Sequence, residues 1–588
     1  MSANVSDNGL KVLQARYLRR DAAGRVMETP DQLFGRVARA ISEAELLFGT
    51  PQNARMWEER FCALMTALDF LPNSPTLMNA GTPLGQLSAC FVLPIHDSME
   101  SIFDALRSMA LIQRTGGGTG FSFSHLRPAG DAVGATGGTS SGPVSFMKIF
   151  DCATENIKVG GRRRGANMAV LRVDHPDILQ FVNAKRDGVS LRNFNLSVAV
   201  TDEFLEAAET GRDFALRHPS DGREIRRISA SALFSEITDA TWATGDPGLV
   251  FLDTIGRANP TPGAGEIECT NPCGEVPLLA YEACNLGSLN LIRFIAKSGG
   301  HAALDYERLR GCVHAAVRFL DDVIAVNKYP LEAIQKITLA NRKIGLGVMG
   351  FAEALIALGI PYAGNVAVEF AGRLMAFIAR EARQASAQLA VERGTFPNWP
   401  QSVHARAGVK LRNATLTSIA PTGTISIIAG TSSGIEPLFA LAYRRKNVLA
   451  GQTLAELNPL LVRHLNPSAS VLQKVLEEGT LDAVEGISAE AKQLFQTALA
   501  IPPEQHVRIQ AAFQQHVDNA VSKTVNVPHR ATPEDIAGVY RLAHRLGSKG
   551  VTVYRYGSKA EQVLELGAGE EAEFREKFTK CDPEACRL

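Results

Sequence analysis

Residues 269–291, CTNPCGEVPLLAYEACNLGSLNL, constrain the fold of this chain more than any other stretch. Pro272 and Gly274 flank Cys273, and neither residue suits the interior of a regular helix or of a central strand. The sequence therefore predicts that Cys273 lies at the tip of a constrained loop. We expect the neighbouring segments of the chain to be organised around this loop.

The loop brings together side chains suited to acid–base and thiol chemistry. Asn271 precedes Cys273 by two residues and Glu275 follows it by two, so an amide and a carboxylate flank a thiol. A positioned carboxylate can act as a general base, and a cysteine can act as a covalent or redox group. The loop is therefore a candidate catalytic site.

A four-thiolate metal site is an alternative interpretation of the cysteines. Cys90, Cys269, Cys273 and Cys284 would supply four ligands. Their spacing lacks the paired C-x2-C knuckles of structural zinc sites, and a metal would leave the neighbouring amide and carboxylate without a purpose. The catalytic interpretation is favoured for these reasons.

The composition narrows the class of protein. Lys plus Arg and Asp plus Glu both number 61, so no net charge attracts nucleic acid or an anionic membrane. The N-terminus lacks a secretory signal, no apolar run approaches the ~18 residues of a membrane span, and 9 cysteines in 588 residues are too few for a disulfide-stapled scaffold. We therefore expect a cytoplasmic enzyme with reactive thiols, in which a large α/β barrel could account for most of the length.

The texture of the sequence predicts three regions. Residues 1–70 are predicted to be a helical N-terminal region. In residues 71–557 short apolar strands alternate with helices, which is typical of an α/β catalytic domain. Within this domain, residues 71–82 are predicted to form a loop, and residues 445–520 are predicted to form helices with polar connections. Residues 558–588 are charged and poor in apolar side chains, as expected of a flexible C-terminal tail.

Three further cysteines have more than one interpretation. Cys90 lies in a predicted buried strand at 86–94, where it is either a small core residue or a chemical group. Cys581 and Cys586 lie close together in the predicted tail. They could form a dithiol–disulfide shuttle or contribute to a zinc site, and the shuttle is favoured because the tail offers no further metal ligands.

Two segments could bind an anionic ligand. Residues 159–166 place three adjacent arginines between glycines, so they either grip phosphate oxygens or form a solvated charged loop. Residues 421–426, PTGTIS, follow an apolar strand and form either an anion site or a plain turn. The glycine run at 116–120 fits neither a dinucleotide fingerprint nor a P-loop.

In chain order the sequence contains LPNSPTLMNAGTPLGQLSACFVLP, TGGGTGFSFS, GGRRRGAN, TNPCGEVPLLAYEACNLGSLNL, IGLGVMGF, APTGTISIIAGTSSGIEP, TVYRYGSK and a terminal cysteine pair. Together, over roughly residues 15–588, these motifs resemble the large catalytic chain of ribonucleotide reductases, most closely the adenosylcobalamin-dependent class II. The resemblance implies a ten-stranded α/β barrel that makes deoxyribonucleotides from ribonucleotides by thiyl-radical chemistry.

The resemblance assigns roles to the loop and its surroundings. Cys273 matches the cysteine that becomes a thiyl radical and takes the 3′ hydrogen of the ribose. Glu275 matches the carboxylate that accepts the 3′-hydroxyl proton, and Asn271 matches the amide that bonds the substrate hydroxyls. Cys90 and Cys284 match the pair that protonates the departing 2′-hydroxyl and ends as a disulfide.

The tail and the nucleotide sites follow in the same way. Cys581 and Cys586 match the pair that re-reduces this disulfide and is itself reduced by a thioredoxin-like protein. The implied substrate-binding residues are Ser74, Ala89, Thr422, Gly423, Thr424 and Ser426. The implied binding residues for a deoxynucleotide effector are Asp97, Ser98, Arg127 and Arg163.

The class depends on how the radical is supplied. The metal-dependent class receives it from a second subunit through adjacent tyrosines, whereas here Arg555 separates Tyr554 from Tyr556. This difference favours adenosylcobalamin. The resemblance further suggests ribonucleoside diphosphates as substrates and a homodimer. The alternatives are a class I large subunit that needs a partner, and a nucleotide-binding regulator that has lost catalysis.

Overall fold

The computed structural model describes residues 3–134, 137–159, 163–298, 301–449, 452–559 and 564–566. Its helices are α1 (Asp7–Arg16), α2 (Pro30–Ser42), α3 (Pro51–Thr66), α4 (Ser74–Asn79), α5 (Met99–Arg114), α6 (Pro143–Asn156), α7 (Ile178–Val182), α8 (Asp202–Thr210), α9 (Ala230–Thr244), α10 (Leu252–Arg257), α11 (Tyr306–Val326), α12 (Glu332–Asn341), α13 (Phe351–Ala357), α14 (Asn365–Arg393), α15 (Val403–Arg406), α16 (Ile425–Ala429), α17 (Pro459–Leu465), α18 (Ala469–Glu478), α19 (Ala489–Leu494), α20 (Pro503–Gln514) and α21 (Pro533–Arg545).

The strands are β1 (Phe70–Pro72), β2 (Cys90–Leu93), β3 (Gly118–Ser122), β4 (Ala132–Val133), β5 (Gly138–Thr139), β6 (Lys158–Val159), β7 (Arg163–Arg164), β8 (Asn167–Arg172), β9 (Phe194–Val200), β10 (Asp213–Arg217), β11 (Glu224–Ser229), β12 (Gly248–Phe251), β13 (Cys269–Thr270), β14 (Pro277–Leu278), β15 (Ala283–Asn290), β16 (Ile295–Ser298), β17 (His301–Leu304), β18 (Ile344–Met349), β19 (Ala442–Leu449), β20 (Gln452–Leu457), β21 (Thr524–Val527), β22 (Gly550–Arg555) and β23 (Leu564–Leu566). No described helix has both the length and the apolar character needed to cross a membrane.

The strands close into a barrel with two halves. In one half β2, β3, β8, β9 and β12 are parallel neighbours. In the other, β15 is parallel to β18 and β21 is parallel to β22, and the extended residues 417–419 bridge these two pairs. The halves meet antiparallel where β12 pairs with β22 and where β15 pairs with β2. With residues 417–419 counted as a strand, five barrel strands run in each direction, and the predicted ten-stranded barrel is confirmed.

Side chains alternate in direction along each strand, so that one set packs in an outer core and the other set points into the barrel interior. Phe91 of β2 and Val553 of β22 belong to one large apolar core, into which the outer helices pack. Cys90 and Val92 point the other way and belong to a small interior cluster. Tyr554 alternates with the buried residues of β22 in the same manner and faces the interior.

The helical N-terminal region packs on the barrel through an apolar core and a buried ionic network. Helix α2 begins with a capping box at Thr29 and buries its apolar face. Next to it, the Arg393 guanidinium donates to Asp322 Oδ1 at 2.6 Å, to Asp321 Oδ2 at 3.0 Å and to Glu45 Oε1 at 2.6 Å. One arginine therefore joins the N-terminal region to helices α11 and α14.

We expect Arg393→Met to lower the free energy of unfolding by about 3–5 kcal/mol, because it leaves the buried Asp322 without its cation and removes one of the cations paired with Glu45 and Asp321. Urea denaturation followed by circular dichroism measures this change. Arg373→Met on the same helix is the matched control, because the Arg373 side chain is 63% exposed and lies 3.9 Å from Glu369. The control should shift stability by less than about 0.5 kcal/mol. Equal effects of the two substitutions would contradict the role of the network.

Two of the predicted segments were wrong. Residues 71–82 are not a simple loop, because β1 pairs antiparallel with β15 and α4 starts behind an Asn73 cap. Residues 445–520 are not purely helical, because β19 and β20 form a hairpin before α17. In the predicted tail, β23 pairs with β19, and residues 567–588 lie outside the described residues.

Candidate active site

The hairpin β13–β14 presents the cysteine loop inside the barrel. Cys269 pairs with Leu278 and Thr270 pairs with Pro277, so residues 271–276 form the connecting loop. Gly274 adopts φ +81°, a conformation that favours glycine, and its N–H donates to the carbonyl of Asn271 at 3.0 Å. Cys273 is exposed at the tip, so the predicted loop is confirmed.

Both halves of the barrel hold this loop in place. On one side the Asn195 amide donates to the carbonyl of Pro272 at 2.7 Å. On the other side the carbonyl of Glu275 accepts from the Ser418 hydroxyl at 2.8 Å and from the N–H of Ala520 at 2.9 Å. Backbone atoms of the loop are therefore fixed on either side of Cys273.

Two glycines of β3 let the loop approach the barrel wall. A Cβ added at Gly120 would lie 1.9 Å from the carbonyl oxygen of Thr270, and one at Gly118 would lie 2.9 Å from Pro272 Cγ. The sequence interpretation gave this glycine run no role. Its function is close packing, and only the position of the hairpin beside β3 reveals it.

A buried network joins the loop to β2. The Asn271 amide donates to Glu275 Oε2 at 2.7 Å and to Cys90 Sγ at 3.1 Å. The Cys90 thiol lies 3.9 Å from Glu275 Oε1, and the N–H of Val276 donates to Asn271 Oδ1 at 3.0 Å. Asn271 and Glu275 are each 2% exposed. The amide therefore orients the carboxyl group and the thiol together.

Burial controls the protonation of this network. It raises the pKa of Glu275 from its ordinary value of 4.5 to about 7, against the opposing hydrogen bonds from Asn271 and Cys90. Burial also raises the pKa of the Cys90 and Cys284 thiols, and the charge of Glu275 raises that of Cys90 further. At neutral pH the two thiols carry protons, while Glu275 can either accept or release one.

Cys90 and Cys284 are placed to form a disulfide. They are directly opposed in the antiparallel pair β2–β15, and both belong to the interior cluster. Opposed residues of such strands have Cα atoms about 4.5–5.5 Å apart, within the roughly 4.4–6.8 Å range of disulfides. The pair of Cys90 and Cys284 can therefore close with little backbone movement.

Cys269 lies at the base of the hairpin, where its thiol donates to the carbonyl of Thr270 at 3.2 Å. Cys269 is therefore a packing residue.

The 421–426 segment is a turn that leads into α16. Thr422 has φ +55°, and its hydroxyl accepts from the N–H of Gly434 at 2.7 Å. The Ser426 hydroxyl lies 3.2 Å from that of Ser433, and Gly423 is exposed. The turn therefore holds two buried hydroxyl groups beside the exposed backbone of Gly423.

Helix α1 reaches the predicted substrate residues. The Arg16 guanidinium lies 3.4 Å from the Thr424 hydroxyl, and the Tyr17 hydroxyl lies 2.7 Å from that of Ser74. Ala89 precedes Cys90 and donates its N–H to the carbonyl of Cys284 at 3.1 Å. The N-terminal region thus contacts residues that sequence reasoning assigned to the substrate.

Three of the predicted effector residues, Asp97, Ser98 and Arg127, lie together on a separate part of the surface. Arg127 donates its Nε to Asp97 Oδ2 at 2.7 Å and its N–H to Asp97 Oδ1 at 3.2 Å, and its Nη1 donates to the carbonyl of Ala132 at 3.1 Å. The Ser98 hydroxyl caps α5. Residues 160–162, the Arg163 side chain, Cys581 and Cys586 lie outside what the structure describes.

Comparison with known proteins identifies the family. The family model "Ribonucleotide reductase, barrel domain" matches residues 88–411 and 406–554, and "Ribonucleotide reductase, all-alpha domain" matches residues 3–85. The chain belongs to the ribonucleotide reductase family. The resemblance stated from the sequence is therefore confirmed.

Relatives of this reductase are similar over most of the chain. A Mycobacterium tuberculosis protein (strain CDC 1551 / Oshkosh) named vitamin B12-dependent ribonucleoside-diphosphate reductase is 52% identical over 562 residues, covering 95% of this chain and 80% of the relative. A Thermoplasma acidophilum protein of the same name is 48% identical, covering 97% and 81%. The alpha subunit of the Actinobacillus ureae class Id ribonucleotide reductase has the same fold, with a TM-score of 0.76 at 22% identity and coverage of 94% and 97%.

In this reductase, the arginine that separates the two tyrosines packs in the outer wall of the barrel. Tyr554 faces the barrel interior, whereas Arg555 faces the outer core. The Arg555 guanidinium lies 4.1 Å from the centre of the Trp242 ring, and its Nε donates to the carbonyl of Trp242 at 2.9 Å. Arg555 therefore belongs to the packing of the outer wall.

We expect Gly120→Ala to lower the turnover of ribonucleotide reduction by about 100-fold or more, because the added methyl group would displace the hairpin that carries Cys273. A product assay at saturating substrate measures the change. Gly256→Ala is the control, because a Cβ there meets no atom within 4 Å. Full activity of the Gly120 variant would contradict the close-packing role.

Proposed function

We propose that this reductase converts ribonucleoside diphosphates to 2′-deoxyribonucleoside diphosphates and depends on adenosylcobalamin. One observation carries the chemistry: Glu275 and Asn271 join the loop of Cys273 to Cys90, which opposes Cys284. The names of the 52% and 48% identical relatives support the cofactor and the diphosphate substrate.

The chain's own side chains would supply the acid, the base and the reductant. Cys273, as a thiyl radical, takes the 3′ hydrogen of the ribose, while Glu275 accepts the 3′-hydroxyl proton. Cys90 gives a proton to the departing 2′-hydroxyl, which leaves as water. The two thiols together provide two electrons and two protons and become a Cys90–Cys284 disulfide, and Cys273 recovers its hydrogen.

The cofactor would approach from the open side of the barrel interior. Cys273 is exposed, and so are Asn195 and Thr552 on the strands that face it, while Tyr554 is partly exposed. Asn195, Thr552 and Tyr554 would contact the bound cofactor. When bound, adenosylcobalamin supplies the radical that removes the hydrogen of the Cys273 thiol.

Turnover requires a route for electrons back to the active site. We propose that Cys581 and Cys586 reduce the Cys90–Cys284 disulfide by thiol–disulfide exchange and are then reduced by a thioredoxin-like protein. Only four residues separate the two cysteines, in a segment that is charged and poor in apolar side chains, and this pattern supports the role. Such chemistry suits a reducing compartment, so we place the enzyme in the cytoplasm.

An effector site and a homodimer are proposed at the α5–α6 surface. A deoxynucleotide would bind near Asp97, Ser98 and Arg127, with Arg163 at the start of β7. Apolar side chains of these two helices are exposed, namely Met99 (55%), Phe103 (45%) and Ile149 (39%). A second copy of the chain would cover them.

The proposal is tested by reconstitution. The chain alone is incubated with adenosylcobalamin, a dithiol and CDP, and in a parallel arm with CTP. We expect deoxynucleotide from CDP without a second protein. Product only with an added metal-radical subunit would support the class I alternative, and no product with intact nucleotide binding would support the inactive regulator.

A further inference from the structure

Helix α1 packs unusually closely on the helix that follows the 421–426 turn. A Cβ added at Gly9 would lie 3.1 Å from the carbonyl oxygens of both Ile427 and Ile428. Backbone approaches backbone at this crossing, so the end of α1 is held in a fixed place relative to the turn. The sequence interpretation assigned no function to α1.

The last turn of α1 then contacts both predicted substrate segments. Arg16 is half-buried and reaches the Thr424 hydroxyl at 3.4 Å. The next residue, Tyr17, is 3% exposed and reaches the Ser74 hydroxyl at 2.7 Å. A charged group and a phenol from the N-terminal region are thus placed together at the edge of the site.

We propose that Arg16 binds the terminal phosphate of the nucleoside diphosphate substrate, an assignment that rests on the proposed function. The turn contributes the half-buried hydroxyl group of Thr424, which can donate a hydrogen bond but cannot neutralise a phosphate. A guanidinium supplies both the charge and a planar pair of donors that matches two phosphate oxygens. Arg16 would move from the Thr424 hydroxyl to a phosphate that occupies the exposed side of the turn.

This assignment makes Arg16 a specificity-determining residue. It would distinguish a diphosphate from a monophosphate, because the second phosphate is the group that reaches the end of α1. It would contribute to substrate binding and not to the chemistry at the ribose. The expected signature is therefore a change in KM with little change in kcat.

The test compares CDP and CMP in the reconstituted full chain. We expect Arg16→Gln to raise KM for CDP roughly 10- to 100-fold with kcat within about 3-fold, and to change the kinetics of CMP little. Arg16→Lys should fall between, because lysine keeps the charge and loses the paired donors. Inorganic pyrophosphate, whose binding is measured directly by calorimetry, should bind more weakly to Arg16→Gln by a similar factor.

Lys11→Gln is the matched control, because Lys11 is an exposed cation on the same helix. It should leave KM for CDP unchanged. An unchanged KM in Arg16→Gln would overturn the assignment, and so would equal losses for CDP and CMP, which would indicate a displaced helix. If the unmodified chain reduces no nucleotide at all, the proposed function fails. In that case the Arg16 assignment is tested separately, and it would be overturned if Arg16→Gln bound pyrophosphate as tightly as the unmodified chain.

Discussion

Replacing Cys273 with alanine is expected to abolish deoxynucleotide formation, with a loss of at least roughly 1,000-fold, while the protein stays folded. The loss follows from the proposed role, because the thiol is the group that takes the 3′ hydrogen. Folding should be retained because the side chain is exposed at the loop tip, and the loop is fixed by backbone contacts on either side of it. Cys273→Ser should be equally inactive. The O–H bond of serine is stronger than the S–H bond of cysteine, so serine cannot form a radical that replaces the thiyl radical.

The assay measures product with adenosylcobalamin, a dithiol and CDP, together with the thermal midpoint of unfolding. Cys62→Ser is the control, because Cys62 is a half-buried cysteine of α3 that contacts Thr66. It should keep full activity. Residual turnover of a few per cent in Cys273→Ala would remove the thiyl role from this residue.

The geometry of the loop was predictable because its causes are local. Pro272 and Gly274 exclude regular structure around Cys273, and the hairpin with a left-handed Gly274 is the result. The residues that contact the loop could not be predicted from the local sequence. The contact of Cys90 with Glu275 spans 185 positions, and residue spacing alone left Cys90 as either a core residue or a chemical group. The resemblance to a family suggested the pairing of Cys90 with Cys284, and only the tertiary structure shows the contact of Cys90 with Glu275.

The same distinction explains the segments that were predicted wrongly. The helix α4 had a local signal, with Asn73 as its cap and Pro75 in its first turn, and this signal was overlooked among loop-forming residues. The strand β1 had no local signal, because it pairs with β15, which lies more than 200 residues further along. The close-packing role of Gly120 is equally non-local, because it depends on the carbonyl of Thr270.

Glu275→Gln is expected to stop turnover and at the same time to stabilise the protein above pH 7. Burial raises the pKa of Glu275 from 4.5 to about 7 in the folded state. Between these values the unfolded chain has lost its proton while the folded chain still holds it, so the free energy of unfolding falls as pH rises. The full loss, about 3 kcal/mol, is reached above pH 7. Glutamine keeps the shape of the protonated carboxyl group and has no charge to bury.

The two properties separate in a pH series. Turnover of the unmodified enzyme should rise through about pH 7 as Glu275 becomes a carboxylate able to accept the 3′-hydroxyl proton. Glu275→Gln should lose roughly 100- to 10,000-fold in turnover at every pH. In urea denaturation it should match the unmodified protein near pH 4, below the unfolded pKa, and exceed its stability at pH 8.

Glu282→Gln is the informative control, because Glu282 is a buried carboxylate that is paired with Lys343 at 2.7 Å. Its removal leaves a buried ammonium group without a partner, so this variant should be less stable than the unmodified protein at pH 8. If the two substitutions changed the free energy of unfolding at pH 8 in opposite directions, burial of the Glu275 carboxylate would be destabilising, as expected of a group that is kept for its role as a base. If Glu275→Gln were also destabilised at pH 8, the carboxylate would be a structural group and the base would have to be sought elsewhere.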